Sequence, residues 1–455
     1  MNNFLATLFL LFGLLCIAHY PAKKIMIWAI NNLEDKKLIL SLSLLLFILS
    51  VISIYLSTNI SDWNYRAGPL ILFILGIALI LRALAILIFP LQLKKALQYI
   101  LKKIPVFTTT LSGVFLILLS AFTVSRDYIG PFKDLSDCSN SQVLTVYCLA
   151  SNPEDLALTP DNQSLIVSEF GGIRPYEEPQ EGSFSIFDLA TSSIKKMPVI
   201  MDLNVWGEPQ CQRNSKTFGP HGIDLKKRDD GRYQLAVVNH YPTETIELFE
   251  LRKDDQWSLI WKGCVNVPTK YYFNDIALES DGSFYVTHMY PREITIAAWL
   301  NAALFKYATG LVLFWSHNKF EELDFTKAGQ PNGIVKSGNT LYVANNLSDS
   351  ITGYDLVEKK QIAHFPINSP DNLILHDDSI WVTSLEHEAV DVLSCPNEQC
   401  SLPFNVYSLS SEDLKLQKVY SFSEEVMGLP TVALPVDDKI WMGSFRLDRL
   451  VNFDK

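Results

Sequence analysis

The chain has 455 residues, 48% of them hydrophobic and 19% charged, and its mean hydropathy of +0.15 is too apolar for a wholly soluble globular protein. A net charge of −11 excludes a nucleic-acid partner, because an acidic surface repels phosphate. Aromatic residues make up 12% and there is no long Gly/Ser, Gln or Pro tract, so the chain is not a disordered one.

The averages hide two unlike pieces. Residues 1–127 carry 11 Lys and Arg against 4 Asp and Glu, whereas residues 128–455 carry 27 against 45. The cationic piece contains four apolar runs, at about 3–20, 38–57, 69–93 and 105–124, each near the roughly 20 residues that cross a hydrocarbon core. We read them as four transmembrane helices. Met1-Asn-Asn-Phe4 supplies no basic leader, and Leu15 before Cys16 spoils a lipoprotein cleavage site, so the first run reads as a retained helix. Lys23, Lys24, Lys36 and Lys37 occupy the first loop and Lys94, Lys95, Lys102 and Lys103 the third, against Arg66 alone in the second. The positive-inside rule then places loops one and three in the cytoplasm. The N-terminus and everything after residue 127 fall on the extracytoplasmic side, periplasmic, luminal or extracellular. Arg82, inside the third run without an acidic partner, is given no role.

Six of the seven cysteines, Cys138, Cys148, Cys211, Cys264, Cys395 and Cys400, lie in that outer part, where disulfides form. Six allow 15 pairings. The short Cys395-Pro-Asn-Glu-Gln-Cys400 loop is the local bridge that spacing favours, and no second Cys or His pair stands at zinc-ligand spacing.

From about residue 140 the pattern changes to short Val-, Ile-, Leu-, Phe- and Tyr-rich strands broken by polar turns. One unit recurs six times: a small polar step, an apolar strand, a turn and a second strand. The copies begin at Glu154, His221, Asn274, Asn332, Asp371 and Pro430, about 40 to 67 residues apart. That interval suits a four-stranded blade, and the expected architecture is an all-β six-bladed β-propeller over residues 128–455. In a propeller the polar step of each copy converges on one central channel. Glu154, Asn274, Asn332, Asp371 and Asn372 would there offer carboxylate and amide oxygens and no thiolate, a hard set that selects Ca²⁺ over zinc or copper. Asp155 and Asp275, one residue further on, are expected on the opposite side of their strands, where they could hold a second, more buried ion.

Phe218-Gly-Pro-His-Gly-Ile223, then Val237-Val-Asn-His-Tyr-Pro242 and Thr245-Ile-Glu-Leu-Phe249, resemble the paraoxonase (arylesterase/lactonase) family, as do Phe273-Asn-Asp275, Pro331-Asn-Gly333 and Pro370-Asp-Asn372. The resemblance covers about residues 150–445. It implies a six-bladed propeller with two channel calcium ions. Glu154, Asn274, Asn332, Asp371 and Asn372 would bind the catalytic ion, and Asp155, the Ile223 carbonyl and Asp275 the structural one. It also implies that His221 and His240 form a pair in which one imidazole deprotonates water and the other tunes it. A small hydrophobic lactone or ester is the implied substrate. The chemistry stands without the name, since a cation stabilises a developing oxyanion and histidine can take a proton near neutral pH. The alternative is a non-catalytic, calcium-stabilised membrane propeller that acts as a receptor or binding partner; it would need the ion but no base. A strictosidine-synthase-like or gluconolactonase-like propeller would share the fold without the paired histidines.

No Gly-x-Ser-x-Gly elbow supports a serine hydrolase. His288, His317, His364 and His387 read as surface or loop residues. Asn162-Gln-Ser164 and Asn346-Leu-Ser348 fit the glycosylation sequon. The apolar stretch 294–315 cannot be a fifth span without splitting the ring, so it reads as a helix over the channel mouth, in contact with lipid or lining the substrate entrance. Three departures from the family stand out. The chain has four spans rather than at most one, no Cys after Cys400 to join the ring's ends, and Ser384-Leu385 in place of a Cys-His pair.

Overall fold

The computed structural model describes residues 2–18, 24, 27–28, 34–60, 63–103, 106–125, 128–129, 135, 137–213, 215–387, 391, 401–423 and 425–455; Lys23 and the Cys395–Cys400 loop lie outside them. The chain forms two compact units. One comprises Met1–Phe132 with His387–Cys395, the other Lys133–Glu386 with Pro396–Lys455.

In the helical unit, Asn2–Ile17 packs on Val106–Ser125, and Lys36–Thr58 on Ala67–Ile88. Small residues make both contacts close: a Cβ on Gly113 would lie 2.6 Å from the Gly13 carbonyl oxygen. Buried hydroxyls bond across the pairs, Ser50 Oγ to Gly76 O at 2.8 Å, Ser57 Oγ to Pro69 O at 2.7 Å and Ser120 Oγ to Ala6 O at 2.7 Å. Two of the four expected spans, Lys36–Thr58 and Ala67–Ile88, are long and apolar enough to cross a membrane among the described residues; Asn2–Ile17 and Thr110–Val124 are shorter. The expected run 69–93 is also divided. Pro90, which cannot donate a helical N–H, starts a separate helix, Pro90–Lys103.

The second unit is the expected six-bladed propeller. The blades have inner strands Pro153–Leu158, Pro220–Lys227, Phe273–Leu278, Pro331–Ser337, Pro370–His376 and Pro430–Val436, here blades 1 to 6; five have four strands, and blade 2 has a fifth, Val199–Met201, paired parallel at its outer edge. Five of these strands open on Pro, which has no ladder donor and is tolerated at a strand's first residue. The turn from first to second strand contains a left-handed residue in every blade: Asn162, Gly231, Gly282, Gly338, Asp377 and Asp437. Asn, Asp and Gly accept that conformation at least cost. An apolar cluster fills each interface between neighbouring blades, such as Phe184, Phe218 and Phe249 between blades 1 and 2.

The stretch 294–315 resolves into a ten-residue helix, Ile296–Phe305, and a strand of blade 3, Gly310–Ser316. Ten residues rise about 15 Å, too little to cross a membrane.

Blade 6 takes its outermost strand, Thr145–Tyr147, from before blade 1, paired antiparallel to Leu450–Asp454. Strand pairing therefore closes the ring, as expected without a terminal disulfide. Cys138–Cys148 closes a ten-residue loop around that strand, and Cys211–Cys264 ties a loop onto blade 2. Replacing Cys138 and Cys148 together by Ser should cost about 2–3 kcal/mol, read as a Tm several degrees lower in non-reducing buffer. An unchanged Tm would mean that strand pairing alone fastens the ring.

Candidate functional site

The site begins with an irregularity that recurs in each blade. Pairing between first and second strands shifts register after Pro153, Pro220, Phe273, Pro331, Pro370 and Pro430. Such bulges break strict alternation and re-aim side chains. Consecutive residues Glu154 and Asp155, Asn274 and Asp275, and Asp371 and Asn372 are consequently all buried. Asp155 and Asp275, expected on the opposite side of their strands at a more buried position, are buried in the ring. With Asp224 they line a cavity of about 280 Å³ between the inner strands. The strands approach closely: a Cβ on Gly222 would lie 2.5 Å from Asn274 O, and one on Gly333 2.5 Å from Leu373 N.

His221, on the inner strand of blade 2, and His240, just after the second strand, are brought together, with His221 Nδ1 2.8 Å from His240 Nε2. The other His221 nitrogen, Nε2, lies 3.6 Å from Glu154 Oε1 and 3.5 Å from Asn274 Nδ2. Behind the pair, His240 Nδ1 lies 2.8 and 3.0 Å from the Glu244 carboxylate oxygens. Phe170 packs on the His221 ring and Tyr272 on that of His240, at centroid distances of 4.6 and 4.7 Å. Burial, and secondarily the neighbouring His240, hold His221 well below the ordinary imidazole range. It is therefore neutral at pH 7 and able to accept a proton.

Around His221 Nε2, oxygen acceptors outnumber donors. Asn372 Nδ2 donates to Glu154 Oε1 at 2.9 Å. Glu154 Oε2, Asn274 Oδ1, Asn332 Oδ1 and Asn372 Oδ1 are buried with no hydrogen-bond partner. All four belong to the five residues singled out in the sequence. Asp371, the fifth, bonds with Asn332. Among the described residues no group of three or more His, Cys, Asp or Glu side chains gathers as a metal cage. The open acceptors here are three amides and one carboxylate, a hard oxygen set that could hold Ca²⁺. Asp155 and Asp275 differ, for both their carboxylates are engaged by backbone N–H groups. Leu156 N and Ile223 N donate to Asp155 at 2.8 and 2.7 Å, and Ile276 N and Ile334 N to Asp275 at 2.7 and 2.9 Å.

Glu244, Phe170 and Tyr272 did not stand out in the sequence. For Glu244 the only signal is an acid four residues after His240. His288 is neither at the surface nor in a loop. It is buried on the second strand of blade 3, where its Nδ1 accepts from Tyr272 N at 3.1 Å and burial pushes its pKa down to about 4. His387 is buried too. Ser384, at the departure from the family pattern, bonds within its own blade, to Asn368 O at 2.6 Å and Glu386 Oε1 at 2.9 Å.

The arylesterase family model matches residues 136–449. Similar proteins include serum paraoxonase/arylesterase 2 of Gallus gallus, 23% identical over 310 residues, covering 65% of this chain and 84% of that one. Serum paraoxonase/lactonase 3 of Homo sapiens is 23% identical over 230 residues, covering 49% and 60%. Among solved structures, a luciferin-regenerating enzyme is similar at 12% identity and a TM-score of 0.42, covering 69% of this chain and 95% of that one.

Burial raises Asp371 to about 7. The folded protein thus binds the Asp371 proton more tightly than the unfolded chain, and this group's contribution to stability falls as pH rises from about 4 to about 7. In chelator, Asp371→Asn should be more stable than the parent at pH 8, by on the order of a few kcal/mol. The gap should close towards pH 5. A gap that is absent, or independent of pH, would contradict the buried-charge assignment.

Proposed function

The chain belongs to the arylesterase family, and from that premise we propose that it hydrolyses lactones or carboxylic and aryl esters with calcium in the propeller channel. The observation that carries this reading is the neutral nitrogen of His221 beside four buried oxygens that lack donors. Glu154, Asn274, Asn332, Asp371 and Asn372 would hold the catalytic ion, and Asp155, the Ile223 carbonyl and Asp275 the structural one. Calcium, when bound, supplies positive charge that favours the oxyanion developing on a carbonyl oxygen. His221 Nε2 takes a proton from water as the water oxygen bonds to the carbonyl carbon. The bond from that carbon to the leaving oxygen then breaks, and His221 returns the proton to the leaving oxygen. An ester yields an acid and an alcohol, a lactone a hydroxy acid. His240 holds the second nitrogen of His221. Phe170, Tyr272, Tyr290 and Trp299, clustered beside the pair, suit a small hydrophobic substrate.

We place the four apolar helices in a membrane, with the N-terminus and the propeller on the extracytoplasmic side. The exposed apolar faces of Lys36–Thr58 and Ala67–Ile88, the basic loops and the two disulfides support this topology. Protease added to sealed membrane vesicles whose extracytoplasmic face is outward should digest the propeller; protection until lysis would reverse the orientation.

The mechanism is tested on the full-length protein in detergent, with a panel of lactones and aryl esters. Chelation should abolish turnover, and His221→Gln should lower kcat about 10²–10⁴-fold. Turnover that survives both at constant fold would sink the mechanism. No turnover on any substrate, with calcium tightly bound, would favour a receptor or binding partner.

A further inference from the structure

We infer that Glu244 is a positioning residue that sets the proton arrangement of the histidine pair. The inference depends on the hydrolase reading only for its effect on turnover.

Two neutral imidazoles joined by one hydrogen bond can be arranged in two ways. His221 Nδ1 can donate to His240 Nε2, or His240 Nε2 can donate to His221 Nδ1, across the same 2.8 Å. The two arrangements differ at the outer nitrogens. In the first, His240 carries its proton on Nε2's counterpart, Nδ1, and His221 leaves Nε2 as a lone pair towards Glu154 and Asn274. In the second, His240 Nδ1 is an unprotonated acceptor and His221 Nε2 carries a proton, which cannot serve as a base.

The Glu244 carboxylate lies 2.8 and 3.0 Å from His240 Nδ1. As a carboxylate it only accepts hydrogen bonds, so the second arrangement would press two lone-pair groups together with no proton between them. The first gives a charge-assisted bond from Nδ1–H, whereas the competing Glu154 oxygen at the other end of the pair, 3.6 Å from His221 Nε2, is beyond hydrogen-bond reach and already accepts from Asn372 Nδ2. The Glu244 side chain is only 7% exposed and that of His240 1%, so bulk solvent screens their contact little. The chain of contacts from Glu244 through His240 to His221 thereby selects the tautomer in which the channel-facing nitrogen is the base. The same carboxylate favours any positive charge that reaches His240 while the proton is held, which spreads the cost of protonating a buried pair.

The test reads tautomers directly, on full-length protein labelled with ¹⁵N-histidine and studied by solid-state NMR, with His221→Gln to assign the His221 signals. The parent should show His221 protonated at Nδ1 and bare at Nε2. Glu244→Ala should admit the other tautomer and lower kcat about 10–100-fold with KM nearly unchanged. Glu244→Gln, whose amide oxygen can still accept from Nδ1–H, should keep the parental tautomer and restore part of kcat. A parental spectrum protonated at Nε2, or one unchanged in Glu244→Ala, would overturn the inference, as would a loss in Glu244→Ala confined to KM. The spectra decide even if no ester is turned over, so failure of this inference is distinct from failure of the hydrolase reading.

Discussion

Glu154 Oε2, Asn274 Oδ1, Asn332 Oδ1 and Asn372 Oδ1 are buried without a donor, and an unsatisfied buried polar group costs about 1–3 kcal/mol. Holding four such acceptors at neighbouring strand starts takes a rigid ring, and that rigidity has identifiable sources. Part comes from the apolar clusters between blades. Part comes from side chains that reach from one blade to the next. Ser168 Oγ donates to His221 O at 2.6 Å, Thr287 Oγ1 to Asn332 O at 2.6 Å and Thr383 Oγ1 to Thr431 O at 3.0 Å, joining blades 1 to 2, 3 to 4 and 5 to 6. In each case the acceptor is the carbonyl of a residue at the bulge, so the bond that staples two blades also fixes the strand start that carries the site.

The channel carboxylates divide by the same logic. Asp155, Asp224 and Asp275 accept backbone N–H bonds from the next blade, at Ile223, Leu278 and Ile334. Their directions are set by the ring itself. Glu154 accepts from a side chain, Asn372, and keeps one oxygen open. A held set therefore lies further along the channel and an open set lies beside His221. A ligand in the open set would replace no existing bond.

Much of this was legible in the sequence. The six-fold recurrence of polar step and strand gave the blade number, and the residue types at that step identified every member of the open set. The bulges beside Asp155 and Asp275 were not legible, because a bulge depends on how two strands pair and leaves no mark in a single strand's pattern. The burial of His288 is hidden from the sequence for a related reason: it depends on Tyr271 and Tyr272, brought to it by strand pairing. Hydropathy counted four apolar runs without seeing where helices end, and Pro90 cut the third short. Glu244 lies in a turn, where an acid is ordinary; only the fold aligns its carboxylate with the far nitrogen of His240.

Burial acts on the two kinds of titratable group at the site with opposite signs. It raises Glu154, Asp155, Asp275 and Asp371 and lowers His221, and in both cases favours the uncharged form. A proton delivered to His221 is therefore disfavoured unless its charge can be shared or passed on. On the channel side, a bound cation would oppose it further. On the other side, the imidazole of His240 backed by a carboxylate favours it. In the proposed arrangement the pair is polarised along one direction, with the lone pair towards the open oxygens and the Glu244 carboxylate behind. A single buried histidine with the same pKa would lack that direction, being neutral but with nothing to select which nitrogen is bare.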